Sequence, residues 1–321
     1  MRHIFSKIPL LLFIACLLMS CEKMVIEEDG GQGTTSANHN VIIRIANTDV
    51  GWDGANSRSQ VHISEVCSRL QLAVYQEGRR VKYANQIVGD ADFGSFAFQL
   101  EEGIYQLLIL GHSGAYTVPT TNPEKLQFTN PGATNGTGFT DTFYYYGDLI
   151  VSSDGVQVEI NMERATSMFR LKTNDGKPAK VKKFQFYYTG GSGALDATTG
   201  FGCVNSKQSV FVPLNDSQTG QTLTFEMYTF LHDESGTVTF TVTAFDDNDA
   251  ALYTKTFKVQ MKQNCITQYT GNFFTNDDVE TPEDPGSPDD PEYPDDPQPG
   301  SSSSNVVYVD PAWGEIFEYT F

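Results

Sequence analysis

The sequence predicts an all-β body folded as two tandem β-sandwiches, and three observations carry that reading. From Val41 onward apolar and polar residues alternate with a period of two, and turn residues recur at short intervals. No stretch holds a 3.6-residue apolar repeat beyond two turns. The roughly 235 residues of this kind are more than one sandwich needs, and lone hairpins are marginal in water, so the strands must pack sheet on sheet.

The chain opens with a basic segment (Arg2, His3, Lys7) and an apolar run from Ile8 to Met19, and Ser20 stands directly before Cys21. This pattern predicts a signal peptide over residues 1–20. Its apolar stretch falls short of the roughly 20 residues that span a hydrocarbon core. A small residue before cysteine is what lipoprotein processing requires, so Cys21 is the expected lipidation site, its thiol carrying diacylglycerol. Two or three acyl chains on one residue anchor stably. Residues 21–38 are polar and rich in Gly, Thr and Ser, a lipidated tether with too little apolar content to fold.

Residues 39–165 are expected to form the first sandwich. Leu70 to Tyr75 turns through Glu77-Gly78 into Arg80 to Tyr83, and Ser95 to Leu100 turns through Glu102-Gly103 into Ile104 to Leu110; each pair reads as a hairpin. Leu149 to Ser152 is expected to pair with Val156 to Met162 through Asp154-Gly155, with Val156, Val158, Ile160 and Met162 on one face. The seam falls near Arg164 to Ser167, and residues 166–275 form the second sandwich, beginning with the strand Met168 to Leu171. Its clearest strand is Thr237 to Phe245, where Val238, Phe240, Val242 and Ala244 alternate with threonines. Asp246 to Asp249 then turns the chain into a partner strand that buries Phe257, Val259 and Met261.

Past Phe274 the composition changes. Residues 276–304 hold seven of the fourteen prolines, and residues 277–299 carry ten Asp or Glu and no Lys or Arg, which predicts an extended acidic linker. Residues 305–321 turn apolar again as a strand-like tail. Trp313, Glu315, Phe317, Tyr319 and Phe321 alternate onto one face, with Ile316 beside them, an aromatic ladder costly to leave in water. Trp313, Ile316, Phe317, Tyr319 and Phe321 are therefore the candidate partner-binding residues. Such a strand either adds to an open sheet edge of another subunit or folds back on its own sandwich, and the 29-residue spacer favours donation.

Little points to catalysis, to a metal or to a cofactor. The net charge of −19 counts against nucleic acid as a partner. Cys67, Cys203 and Cys265 lack metal-ligand spacing and are expected as buried, unreactive thiols. His39, His62, His112 and His232 form no metalloprotease motif, and His112 is expected at a strand end, satisfied by solvent. Gly190 to Gly193 and Gly200 to Gly202 lack the Lys-Ser/Thr of a phosphate loop and are expected as sandwich loops. Asp246 to Asp249 lacks the glycine and terminal Glu of a calcium loop and is expected as a turn. Tyr144 to Tyr146 and Tyr187-Tyr188 are expected to pack in core and loops rather than form a sugar platform.

In combination, the Cys21 motif, Phe139-Thr-Asp-Thr-Phe143, Glu163-Arg-Ala-Thr-Ser-Met-Phe169, Tyr187-Tyr-Thr-Gly-Gly-Ser192 and Asn264-Cys-Ile-Thr-Gln-Tyr-Thr-Gly-Asn-Phe-Phe274 resemble the fimbrillin-type anchor and minor subunits of Bacteroidetes pili. The resemblance covers roughly residues 21–275. It implies two transthyretin-like sandwiches, a lipid-anchored structural subunit in the outer membrane, and assembly with other pilus subunits by β-strand addition. In that family stalk subunits lose an N-terminal segment to an arginine-specific protease, and Arg44, Arg58 and Arg69 lie near the first strands. Glu27, Glu28 and Asp29 resemble the acidic export signals of surface lipoproteins in the group. The alternative reading is a surface glycan-binding lipoprotein of a nutrient-capture system.

Overall fold

The structure, a computed structural model, describes residues 39–45, 62–128, 139–275 and 313–321. Residues 1–38 with Cys21 and Glu27 to Asp29, Arg58, the linker 276–304 and the start of the tail lie outside the described residues.

The first half contains β1 (Val41–Ile45), a one-turn helix α1 (Ile63–Val66), β2 (Arg69–Gln76), β3 (Arg79–Ile87), β4 (Ser95–Phe98), β5 (Gly103–His112), β6 (Leu126–Gln127), β7 (Thr142–Val151), β8 (Val156–Ile160) and β9 (Glu163–Arg164). One sheet has the order β4-β1-β8 and the other the order β3-β2-β5-β7-β9. Between them lies a core of Val41, Ile43, Leu70, Leu72, Phe96, Phe98, Leu107, Ile109 and their neighbours, all buried. The second half contains β10 (Ser167–Thr173), β11 (Lys183–Thr189), β12 (Ala194–Asp196), β13 (Phe201–Gly202), β14 (Gln208–Pro213), β15 (Thr224–Thr229), β16 (Ser235–Phe245), β17 (Ala251–Lys262), β18 (Ile266–Gly271) and, after the linker, β19 (Ile316–Thr320). Its sheets run β15-β10-β18-β19 and β14-β11-β16-β17 around a second core that includes Phe169, Leu171, Phe184, Phe186, Phe240 and Phe257.

The two halves repeat one topology. In each, leaving aside the short strands β6, β9, β12 and β13 and the tail strand β19, the first strand pairs antiparallel with the fourth and parallel with the last: β1 with β4 and β8, β10 with β15 and β18. In each facing sheet a hairpin or hairpin-like pair flanks two further antiparallel strands, β3-β2-β5-β7 against β14-β11-β16-β17. Val41 lies opposite Phe98 and Val156, as Phe169 lies opposite Met227 and Thr267.

The hairpins β2–β3 and β16–β17 form as expected, each with a register shift near one end. Two other expected hairpins do not form. β4 pairs with β1 rather than β5, and β8 pairs with β1 rather than β7, because both turns carry the chain from one sheet to the facing one. Asn40 fixes both crossings. Its side chain donates to the Leu100 carbonyl at 2.7 Å and accepts from the Leu100 amide at 3.0 Å, while its carbonyl accepts from the Val156 amide at 2.7 Å. Gly155 sits against that carbonyl with φ +79°, where a side chain would be strained and would collide with Asn40.

A third apolar cluster joins the halves. Tyr75, Leu108 and Leu110 from the outer face of the five-stranded sheet meet Leu126, Phe128, Phe139, Leu195 and Phe230. Phe128 and Phe230 have ring centroids 4.8 Å apart. Above them β6 pairs with β12, with Leu126 opposite Leu195, so a small sheet β13-β12-β6 is shared by both halves.

Candidate functional site

The site starts from an open edge. In β18 the backbone groups of Thr267, Tyr269 and Gly271 turn toward β10, which leaves those of Ile266, Gln268 and Thr270 facing away from the sheet. Unpaired edge groups are a template for another strand. The tail fills it: β19 lies parallel to β18, Ile266 opposite Ile316 through Thr270 opposite Thr320. The Gly314 amide donates to the Asn264 carbonyl at 2.7 Å, the Ile266 amide to Glu315 at 2.9 Å, and the Phe321 amide to Thr270 at 3.2 Å.

Alternation of side chains then decides what each tail residue touches. Tyr319 packs on Tyr269 at 5.0 Å between centroids, and Phe321 meets Phe257 edge-on at 4.9 Å with the Lys255 ammonium over its ring. On the opposite face Gln268 donates to Glu318 at 3.0 Å, and Ile316 is left 53 % exposed. Gly271 admits the end of the tail, since a Cβ there would overlap the Phe321 backbone. Burial pushes the Tyr269 hydroxyl up to about 12, with the neighbouring Tyr319 adding to the shift.

At its other end the tail is clamped to the seam. Trp313 covers the Arg164 guanidinium at 4.0 Å from the ring centroid and stacks on Tyr228 at 6.2 Å. Arg164, its side chain 2 % exposed, donates through Nε to both Asp141 carboxylate oxygens, at 2.9 and 3.1 Å. Through a terminal nitrogen it donates to Asn264 Oδ1 at 2.7 Å, and its other face rests on Phe143. Thr166 donates to the same carboxylate at 2.8 Å. One buried ion pair thus joins β7, β9, the β17–β18 turn and the tail.

The candidate residues therefore separate into two groups. Trp313, Phe317, Tyr319 and Phe321 make the half-buried face, while Ile316 points outward and Glu315 is exposed instead of joining the ladder. In the structure of the single chain the tail takes the fold-back arrangement, on its own second sandwich. Sequence reasoning missed Arg164, Asp141, Asn264 and Gly271 as parts of the seat. The glycine that closes the Ile266–Gly271 strand is the one sequence feature compatible with such a close approach.

Other expectations need correction. His112 is fully buried at the end of β5, not solvated: Nδ1 accepts from the Gly114 amide at 3.1 Å and the ring stacks on Tyr116 at 5.0 Å. Burial, with the Arg69 charge adding, lowers it from 6.5 to about 4. Cys67 and Cys265 are buried, but Cys203, just past the end of β13, is exposed. Of the tyrosines, Tyr188 is buried and donates to the Tyr228 carbonyl at 3.2 Å, Tyr144 to Tyr146 are half-buried, and Tyr187 is exposed. Asp246 spends one carboxylate oxygen on the Asn248 and Ala250 amides, and Asp249 pairs with Lys183, so the acidic turn is a hairpin device. Among the described residues no group of three or more His, Cys, Asp or Glu is placed to hold a metal, and no helix is long and apolar enough to cross a membrane.

Comparison with known proteins gives a family. The model of the fimbrillin-A associated anchor proteins Mfa1 and Mfa2 matches residues 36–316. Among solved structures, a putative adhesin from Bacteroides ovatus aligns over 76 % of this chain and 93 % of its own at 13 % identity and a TM-score of 0.48. The fimbrial anchor protein Mfa2 from Porphyromonas gingivalis aligns over 67 % of this chain and 80 % of its own at 14 % identity and a TM-score of 0.35. None of the curated proteins matches in sequence.

Proposed function

Because the chain belongs to the family of fimbrillin-A associated anchor proteins, we propose that it holds a surface pilus to the outer membrane through a lipid on Cys21 and joins its partner subunit by donating the tail strand. The family match over residues 36–316 carries the reading, since it makes the chain a fimbrial subunit of the cell surface. The Leu18-Met19-Ser20-Cys21 motif supports the lipid, and the two-sandwich body of residues 39–165 and 166–275 supplies the rigid body between membrane and filament. The tail supports the donation. It is an edge strand, held on one side only and attached through a long acidic spacer, so it leaves its seat without unfolding either core. Main-chain hydrogen bonds then supply affinity and the aromatic face supplies specificity.

Replacing Cys21 by Ala is expected to shift the protein, and pilin bound to it, from the cell envelope into the medium. An unchanged cell-bound fraction overturns the anchor. Deleting residues 313–321 from the lipidated chain is expected to abolish co-purification of pilin from detergent-solubilised envelopes, and retained pilin overturns donation by the tail.

A further inference from the structure

The duplicated topology contains a second seat. With β1 set on β10 at the inward-facing Val41 and Phe169, β8 is the counterpart of β18: Val156, Val158 and Ile160 stand where Thr267, Tyr269 and Gly271 stand, and Gln157 and Glu159 stand for Gln268 and Thr270. The Val156 amide donates to Asn40 on the β1 side, so the backbone groups of Gln157 and Glu159 face outward, like those of Gln268 and Thr270. Among the described residues β8 ends its sheet, whereas β18 is followed by the tail.

The side chains along this edge match the same strand. Gln157 is exposed where Gln268 binds Glu318. Val156 and Val158 are only half-buried, opposite the positions that Phe317 and Tyr319 would take. Glu159 Oε2 is buried with no hydrogen-bond partner, and the position facing it belongs to Thr320, whose hydroxyl is a donor. One residue differs in kind. Ile160 replaces Gly271, the glycine that leaves room for Phe321, so at β8 the strand must end at Thr320.

Resting on the reading of the tail as an exchangeable strand, we infer that the β8 edge, with β1 in place beside it, is an acceptor for residues 315–320 of a second copy of this chain, added in parallel. The cis seat at β18 is the stronger of the two, because only there does Phe321 dock. The β8 edge therefore takes tails that have been displaced from their own sandwich.

The test uses the full lipidated chain in detergent, whose own tail occupies β18, and fluorescein-labelled peptides of residues 311–321 and 311–320. Fluorescence anisotropy is expected to show saturable binding of both, with the peptide lacking Phe321 binding at least as tightly. Gln157→Pro removes an outward amide without touching the β1 ladder, and is expected to abolish binding while leaving the circular dichroism spectrum and melting temperature unchanged. Should that variant misfold, a photo-crosslinker at the position of Glu318 in the peptide is expected to label, within the tryptic peptide Leu126–Arg164 of the unmutated chain, the segment Val156–Ile160. No binding, binding indifferent to Gln157→Pro with labelling elsewhere, or binding that requires Phe321, which marks entry into the β18 seat, overturns the inference. Pilin co-purification is read separately, so donation to pilin survives a negative result here.

Discussion

His112 accepts a backbone amide through Nδ1 and stacks on Tyr116, so protonating it removes an acceptor as well as burying a charge. Its pKa is depressed from 6.5 to about 4 in the folded chain. Below 6.5 the unfolded chain takes up a proton that the folded chain refuses, so stability is full above that pH and falls as pH drops toward 4. The loss is at most roughly 3 kcal/mol, and urea unfolding at pH 7, 5.5 and 4.5 is expected to show it, with His112→Gln flattening the profile. Arg164 makes a contrasting case, a buried charge held against a carboxylate. Arg164→Ala strands Asp141 in the seam and is expected to cost about 3–5 kcal/mol, read by the same unfolding curves. Arg164→Lys is expected to recover little of this, because an ammonium cannot reach Asp141 and Asn264 together under a flat Trp313 face.

Strands whose partners follow at once in the chain are legible in the sequence, and strands that change sheets are not. β16 and β17 announce themselves, since Val238, Phe240 and Val242 alternate before a turn of four polar residues and Phe257 and Val259 alternate after it. Alternation fixes which face is buried but says nothing about the neighbour, which is why β4 and β8 read as members of adjacent hairpins. What redirects them is Asn40, a single polar residue whose partners lie 60 or more positions further on. The tail's aromatic face is equally plain, but its destination depends on Gly271, whose role is visible only once the Phe321 backbone lies against it. Gly271→Val is therefore expected to release β19, raising hydrogen exchange across residues 314–321 and at the Ile266 amide while β10 stays protected. Exchange at β10 rising in step would mean that the second sandwich itself had loosened.

At the scale of the molecule the two halves are joined by more than a linker. The cluster of Leu108, Leu126, Phe128, Phe139, Leu195 and Phe230, roofed by the β6–β12 pairing, makes a third core. Only its share of β2 and β5 is legible in the sequence, because Leu126, Phe128, Phe139, Leu195 and Phe230 come from loops and short strands with no period to read. One cooperative thermal transition is expected for the whole body. Phe230→Ala, costing about 3–5 kcal/mol, is expected to split it into two, checked by calorimetry; a single transition in the variant would show that the halves are coupled elsewhere. The clamp of Trp313 on Arg164 has a mechanical side as well. Among the described residues of the tail Trp313 comes first, so tension passing along them toward β19 reaches that stacked pair before the β18–β19 hydrogen bonds. Pulled along the strand, the ladder shares the load in shear; pulled across it, the bonds break in succession, starting at the clamp. Arg164, fixed by Asp141 deep in the seam, thus acts as the fuse that sets how much force the tail withstands before it lets go.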